Sequence, residues 1–176
     1  MLFAMALCIK GVLFAKLIHF FFGLLCAGLV YFLAKALFGA REALFAAVIF
    51  YLMPLTASLS GAANIDLGTL YYGLAAVAVF LLYMNERSLR HLFLSGFLAG
   101  ICIGTKVTGV SVLSVLFLLS LWASLRHFRE GAWGAAQKIL ILGFMALAGF
   151  SPWIARNVRF TRNPIAPFSL PLLGWQ

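Results

Sequence analysis

The chain has 176 residues, 65% of them hydrophobic and 10% charged, with a mean hydropathy of +1.09. Soluble chains carry roughly 45–50% apolar and about 25% charged residues, so a water-soluble globular domain and a disordered chain are both excluded. Thirteen Lys and Arg against four Asp and Glu give a formal charge of +9, yet the bases fall in short clusters between apolar runs, a pattern that orients membrane helices and speaks against nucleic acid as a partner.

Residues 1–9 are apolar, and Lys10 and Lys16 follow them, the reverse of the charge order of a cleavable signal. A membrane helix needs about 20 mostly apolar residues. With charges, Pro and Gly as punctuation, the sequence predicts an all-α polytopic transmembrane helical bundle of about six membrane helices, one single transmembrane domain over residues 1–176. The first span is predicted over 13–38 and the second over 43–59, joined by a tight hairpin at Gly39-Ala40-Arg41-Glu42. A polar, small-residue loop over 58–66 precedes a third span over 67–84, which stops at the charged run 85–91.

Residues 92–125 form one apolar stretch. As a single helix it would be ~50 Å long, against a hydrocarbon core of ~30 Å, so it is predicted as a short-helix hairpin breaking at Gly104-Thr105-Lys106. A lysine at mid-bilayer costs at least ~2.5 kcal/mol, which puts Lys106 at a membrane face or in a wet cavity. The last long span is predicted over 139–150, entered from Ala135. Pro152 then opens a separate juxtamembrane interfacial helix over 151–162, since a first turn tolerates proline, and Asn163-Pro164 and Pro167 end it.

The hairpins put Arg41, Arg87, Arg90, Arg126, Arg129 and Lys138 on one side, which the positive-inside rule makes cytoplasmic. The opposite side receives the 58–66 loop, the Lys106 turn and the tail with Arg156, Arg159 and Arg162, three bases that break the rule. Two readings stay open for them: an interfacial tail, or an anion site. Arg156 and Arg159 are three residues apart on one helix face, and planar guanidinium groups suit phosphate, which they bind in a bidentate fork.

Asp66 is the only acidic residue expected on that side. It is either a helix N-cap or first-turn carboxylate, or a group that orients a sugar hydroxyl, a metal or a catalytic partner. Lys16 and His19, three apart on the first span, are expected to share a face near the same end, as partners of Asp66 or of phosphate. Lys106, flanked by Thr105 and Thr108, is a further phosphate candidate, with snorkelling as its alternative. Gly96, Gly100 and Gly104 form a small-residue stripe that lets helix backbones approach. Cys8, Cys26 and Cys102, odd in number and inside apolar runs, exclude a disulfide scaffold. Walker, dinucleotide, HExxH, CxxC and GxSxG motifs are absent, so no resident metal site is expected from motif.

The order of Ala15-Lys16-Leu17-Ile18-His19-Phe20, Asn64-Ile65-Asp66, Leu98-Ala99-Gly100-Ile101-Cys102-Ile103-Gly104-Thr105-Lys106 and Ser151-Pro152-Trp153 to Asn163-Pro164 resembles the GT-C membrane glycosyltransferases. More narrowly, it is similar to the bacterial group related to protein O-mannosyltransferases and lipid A aminoarabinose transferases. The resemblance implies a multi-spanning integral protein of the bacterial inner membrane, taking a sugar from a polyprenyl-phosphate carrier to an acceptor at the extracytoplasmic face. By it, Asp66 matches the acidic position of the second external loop and, with Arg156 and Arg159 in the juxtamembrane segment, holds the sugar or the donor phosphate. Asp66 is thus the catalytic candidate, and Lys16, His19 and Lys106, singled out above from the residues alone, join the two arginines as substrate- or phosphate-binding candidates. The bilayer and a lipid-linked sugar are the implied partners. The cofactor stays open, a divalent metal included. The family's principal catalytic acid lies in a first external loop after a first helix, and its members extend further at the C-terminal side. The chain is therefore expected to be a fragment of a longer GT-C domain, inactive alone. The competing readings are a small transporter or flippase-like protein for an anionic lipid-linked substrate, and a structural subunit that docks on a membrane partner chain.

Overall fold

A computed structural model describes residues 2–62, 64–126, 131–164 and 166. Arg129 and Pro167, used in the reading above, lie outside them. Every described element is helical: α1 (Leu2–Phe38), α2 (Ala40–Leu52), α3 (Pro54–Ser60), α4 (Asp66–Glu86), α5 (Leu89–Thr105), α6 (Val110–Arg126) and α7 (Gly131–Thr161), with a 3-10 turn at Val107–Gly109.

Charge, Pro and Gly end these helices much as the sequence implied. Gly39, at φ 108, turns α1 into α2, a backbone region L side chains rarely adopt. Arg87 closes α4 in the left-handed conformation, its N–H bonding the Tyr83 carbonyl at 2.8 Å. The segments Gly11–Phe38, Asp66–Glu86, Val107–Ser124 and Trp133–Thr161 are each long and apolar enough to cross a bilayer. Between α2 and α3 the chain bends by 64° at Met53, before Pro54, which cannot donate the helical hydrogen bond. The six apolar helices expected are thus four full spans, one bent pair and the shorter α5 of 17 residues.

α5 is short because it is central: it packs most extensively on α7 and then on α4. Phe80, Leu92, Leu116 and Leu142 are fully buried among these helices, and the Ser95 hydroxyl donates to the Ala76 carbonyl at 2.8 Å, tying α5 to α4. The glycine stripe makes the α5–α7 contact. A Cβ on Gly96 would lie 2.8 Å from the Leu142 carbonyl oxygen, one on Gly100 would overlap the Ala146 carbonyl, and from the other side Gly149 faces the Phe97 carbonyl. Backbones approach this closely only where side chains are absent, the means by which helices associate where apolar burial gives no drive. Leu13, Phe38, Leu118, Leu140 and Phe144 are exposed on the outside of the described bundle, an apolar surface suited to lipid.

One expectation is corrected. Residues 151–161 do not start a separate juxtamembrane helix; they are the last three turns of α7, which runs unbroken through Pro152. Proline leaves the carbonyl four residues earlier without its N–H partner. Here that carbonyl belongs to Ala148, and the Ser151 hydroxyl donates to it at 2.7 Å. The helix ends instead at Arg162, in the left-handed conformation with its N–H on the Val158 carbonyl.

The alternation of helices brings the 39–41 and 87–90 connections, the end of α6 and the start of α7 to one end of the bundle. The 60–66 loop, the Lys106 turn and the end of α7 come to the other.

Candidate functional site

The site grows from two helix ends. α4 begins at Asp66 with Ile65 at its N-cap, a residue without a capping side chain. One buried N–H of that first turn is served from α1 instead: His19 Nε2 accepts from Leu67 N–H at 3.3 Å, and Nδ1 meets the Leu59 carbonyl at 2.7 Å. A ring that accepts at Nε2 and donates at Nδ1 is a neutral imidazole in one tautomer. His19, fully buried, therefore pins α1 to the end of α3 and the start of α4.

At the second end, Thr105 closes α5 with its hydroxyl on the Cys102 carbonyl at 2.7 Å, and Lys106 follows in extended conformation. The 3-10 turn brings Gly109 onto α5, where a Cβ would lie 2.6 Å from the Cys102 carbonyl carbon. This tight return aims Lys106 across to α4. Its Nζ donates to Asp66 Oδ1 at 2.6 Å, joining residues 40 apart in sequence.

The pair is partly solvated, with side-chain exposures of 44% for Lys106 and 33% for Asp66. It stands at a cavity of about 430 Å³ between α4, α5 and α6, within the ~300–1,000 Å³ range of small-ligand sites. Thr69, Thr108 and Ser111 add hydroxyls to this lining, while Leu70, Leu74, Val77, Val112 and Val115 make the rest of it apolar. The arrangement offers one carboxylate, one ammonium and a few hydroxyls above a greasy floor, which suits a ligand with a polar, anionic end and a hydrocarbon end.

The other sequence candidates separate. Lys16 is exposed and has no partner among the described residues, whereas His19 points inward, so the two do not share a face as the spacing implied. Both ring nitrogens of His19 are engaged by backbone groups of Leu59 and Leu67. Arg156 and Arg159 are exposed on the last turns of α7. Trp153, one turn before Arg156, packs against Gly104, so α7 carries Arg156 to the level of the Lys106 turn. Asn157 donates to the Pro164 and Ala166 carbonyls at 3.4 and 3.2 Å, folding the following segment back onto α7.

Sequence reasoning paired Asp66 with Lys16 or His19 and gave Lys106 to phosphate, so it missed the Asp66–Lys106 pair. The signal was available: with a single acidic residue expected at that end, the cation at the helix break was a natural partner. Thr69 and Ser111 lacked such a signal. Among the described residues no three His, Cys, Asp or Glu side chains gather as a metal would need.

A family model described as dolichyl-phosphate-mannose-protein mannosyltransferase matches residues 2–155. The chain belongs to this family. The resemblance to GT-C membrane glycosyltransferases drawn from short motifs is thereby borne out. In this mannosyltransferase-family chain the matched span includes Lys16, His19, Asp66 and Lys106 and stops one residue before Arg156. No curated protein and no solved structure matches it.

Proposed function

We propose that the Asp66 end of the bundle receives a sugar carried on a polyprenyl phosphate, and that the chain forms a wall of a transfer site at the extracytoplasmic face of a bacterial inner membrane. The observation that carries this reading is the Asp66–Lys106 pair at the edge of a cavity with a polar rim and an apolar floor. The base-rich opposite end faces the cytoplasm by the positive-inside rule.

In glycosyl transfer the acceptor oxygen bonds to the anomeric carbon as that carbon's bond to the phosphate oxygen breaks. The electron pair leaves with the phosphate, and the hydroxyl proton goes to a base. An ammonium has three N–H donors, so Lys106 holds Asp66 and the donor phosphate together. Fixed cations aimed at the leaving oxygen stabilise the charge that grows there. Arg156 and Arg159 add guanidinium charge from the end of α7, and Lys16 adds an ammonium on α1. Asp66 accepts the hydrogen bond, and then the proton, of the acceptor hydroxyl.

The test joins binding and transfer, using polyprenyl phosphate as the binding probe and polyprenyl-phosphate mannose as donor in membranes carrying the protein. Lys106→Gln loses a charge-assisted contact and weakens polyprenyl phosphate binding roughly tenfold or more. Asp66→Asn keeps binding within a few-fold and lowers transfer about a hundredfold or more. Wild-type binding in the first variant together with wild-type transfer in the second refutes the proposal.

A further inference from the structure

The cavity beside Asp66 runs along one face of α4. Asp66, Thr69, Leu70, Gly73, Leu74 and Val77 line it, positions three or four apart that share a side of a helix. From Asp66 to Val77 that face is ~16 Å long at 1.5 Å per residue, about half of a ~30 Å hydrocarbon core. Val112 and Val115 line it from α6, and the buried Gly73, Cys102 and Gly109 make its floor. Leu70 and Val115 are 39% and 45% exposed, so the long side of this groove is open on the outside of the bundle.

The groove is poor in hydrogen-bond donors away from Lys106. A hydroxyl has one proton; Thr69 gives its proton to the Ile65 carbonyl at 3.1 Å, and Ser111 gives its own to the Thr108 carbonyl at 2.8 Å. The Cys102 thiol donates to the Thr69 carbonyl at 3.3 Å. Each of these side-chain protons is thus spent on backbone. An ester carbonyl entering this stretch would exchange its water for no partner, which is unfavourable. A chain bonded directly to its phosphate oxygen brings only carbon there.

We propose that the groove holds the first isoprene units of the polyprenyl carrier, entering sideways from the bilayer, and that Gly73 sets the room for them. This rests on the reading that the carrier phosphate meets Lys106. An extended chain covers ~3.5 Å per three bonds, so a four-bond isoprene unit covers ~4.5 Å and the ~16 Å groove takes about three units. A glycerophospholipid fits the same lining badly, because its ester carbonyls follow the phosphate into the donor-poor stretch. At Gly73 a Cβ would already lie 3.1 Å from Val112 Cγ2 and 3.7 Å from Cys102 Sγ. A larger side chain there therefore takes its space from the groove.

The test is competition against a labelled polyprenyl phosphate in nanodiscs carrying the full chain. The competitors are dimethylallyl phosphate, with a single isoprene unit, farnesyl phosphate, with three, and a lysophosphatidate of matched chain length. Comparing each competitor with itself across variants cancels its partition into the bilayer. Gly73→Leu, and Val115→Trp from the exposed wall, weaken farnesyl phosphate roughly tenfold and leave dimethylallyl phosphate within about twofold; the retained binding shows that the variants are folded. In the wild-type protein, at equal mole fraction in the disc, lysophosphatidate competes roughly tenfold less well than farnesyl phosphate. Equal competition by those two lipids overturns the inference without any variant. So does a farnesyl phosphate loss no greater than that of dimethylallyl phosphate in both groove variants. Lys106→Gln separates the two readings. If it weakens both prenyl phosphates while the groove variants weaken neither, the phosphate reading stands and the groove falls. If both bind Lys106→Gln as they bind wild type, the phosphate reading falls and takes the inference with it.

Discussion

Replacing Gly100 by alanine tests whether backbone contact between α5 and α7 holds the bundle. The new Cβ would overlap the Ala146 carbonyl oxygen, with the carbonyl carbon at 2.8 Å and the Cα at 2.9 Å. Carbon atoms rest at about 3.5–4.0 Å, so α7 has to retreat by about 1 Å. All three neighbours are backbone atoms, and none can swing aside. The retreat also opens the contacts of Gly96 with Leu142 and of Gly149 with Phe97. Overpacking of this kind costs about 1–3 kcal/mol, and the better helix propensity of alanine offsets about 1 kcal/mol, leaving a net loss of up to about 2 kcal/mol. Gly28 is the control, a helical glycine with nothing within 4 Å of its Cβ position, where the same change stabilises by up to about 1 kcal/mol. Thermal unfolding in detergent can be followed with a thiol-reactive fluorophore, because Cys26 and Cys102 are buried and the exposed Cys8 gives a constant background. At about 2–4 °C per kcal/mol for a chain of this size, Gly100→Ala unfolds up to about 8 °C lower, and Gly28→Ala unfolds no lower than wild type. A Gly100→Ala protein as stable as Gly28→Ala refutes the close-contact account.

A double-mutant cycle on Asp66→Asn and Lys106→Gln should give a stability coupling of only ~0.2–1 kcal/mol, because both side chains are partly solvated; a coupling of several kcal/mol would mean a much drier site. His19→Ala leaves the buried N–H of Leu67 unpaired, at about 1–3 kcal/mol, while the Leu59 carbonyl keeps the Ala62 N–H as a partner. His19→Gln, with one donor and one acceptor on its amide, recovers part of that loss in the same unfolding assay, and equal loss in both variants would exclude the pinning role. Ser151→Ala should destabilise by about 1 kcal/mol in wild type and be silent in Pro152→Ala, where a restored N–H takes the Ala148 carbonyl; an equal cost in both backgrounds would show that the hydroxyl serves some other partner.

Much of the bundle was legible because a bilayer imposes length and apolarity on each span, and charges can end spans but seldom lie within them. The need for a break followed from helix length and its place from Gly104-Thr105-Lys106, and the Gly96-Gly100-Gly104 spacing marked a close-packing face before its partner helix was known. Pro152 misled for a local reason. A proline rule written for isolated turns ignores the residue beside it, and in lipid a neighbouring serine can satisfy the freed carbonyl and let the helix continue. His19 misled for a non-local one: spacing along α1 fixes an angle around the axis but not which side faces protein. Its partners are backbone groups of Leu59 and Leu67, which carry no side-chain signature.

The parts that sequence could not supply are those that hold the charges still. Asp66 precedes Leu67, whose N–H is fixed by His19 from α1, and Lys106 lies two residues after Gly104, which is fixed by Trp153 from α7. Each charged side chain thus stands beside a backbone point anchored by a different helix, so the 2.6 Å pair is set by the packing of four elements rather than by the attraction between its members. A partly solvated ion pair would be too weak to order those helices by itself. Causation runs from packing to pair, and a site positioned in advance is what transition-state stabilisation requires, since little reorganisation remains to oppose the reaction. The same reasoning links Arg156 to Lys106. The seam that sets Trp153 against Gly104 also sets the height of the guanidinium one turn later, so a shift of α7 along α5 would change the spacing of the cations before it broke any contact of Asp66.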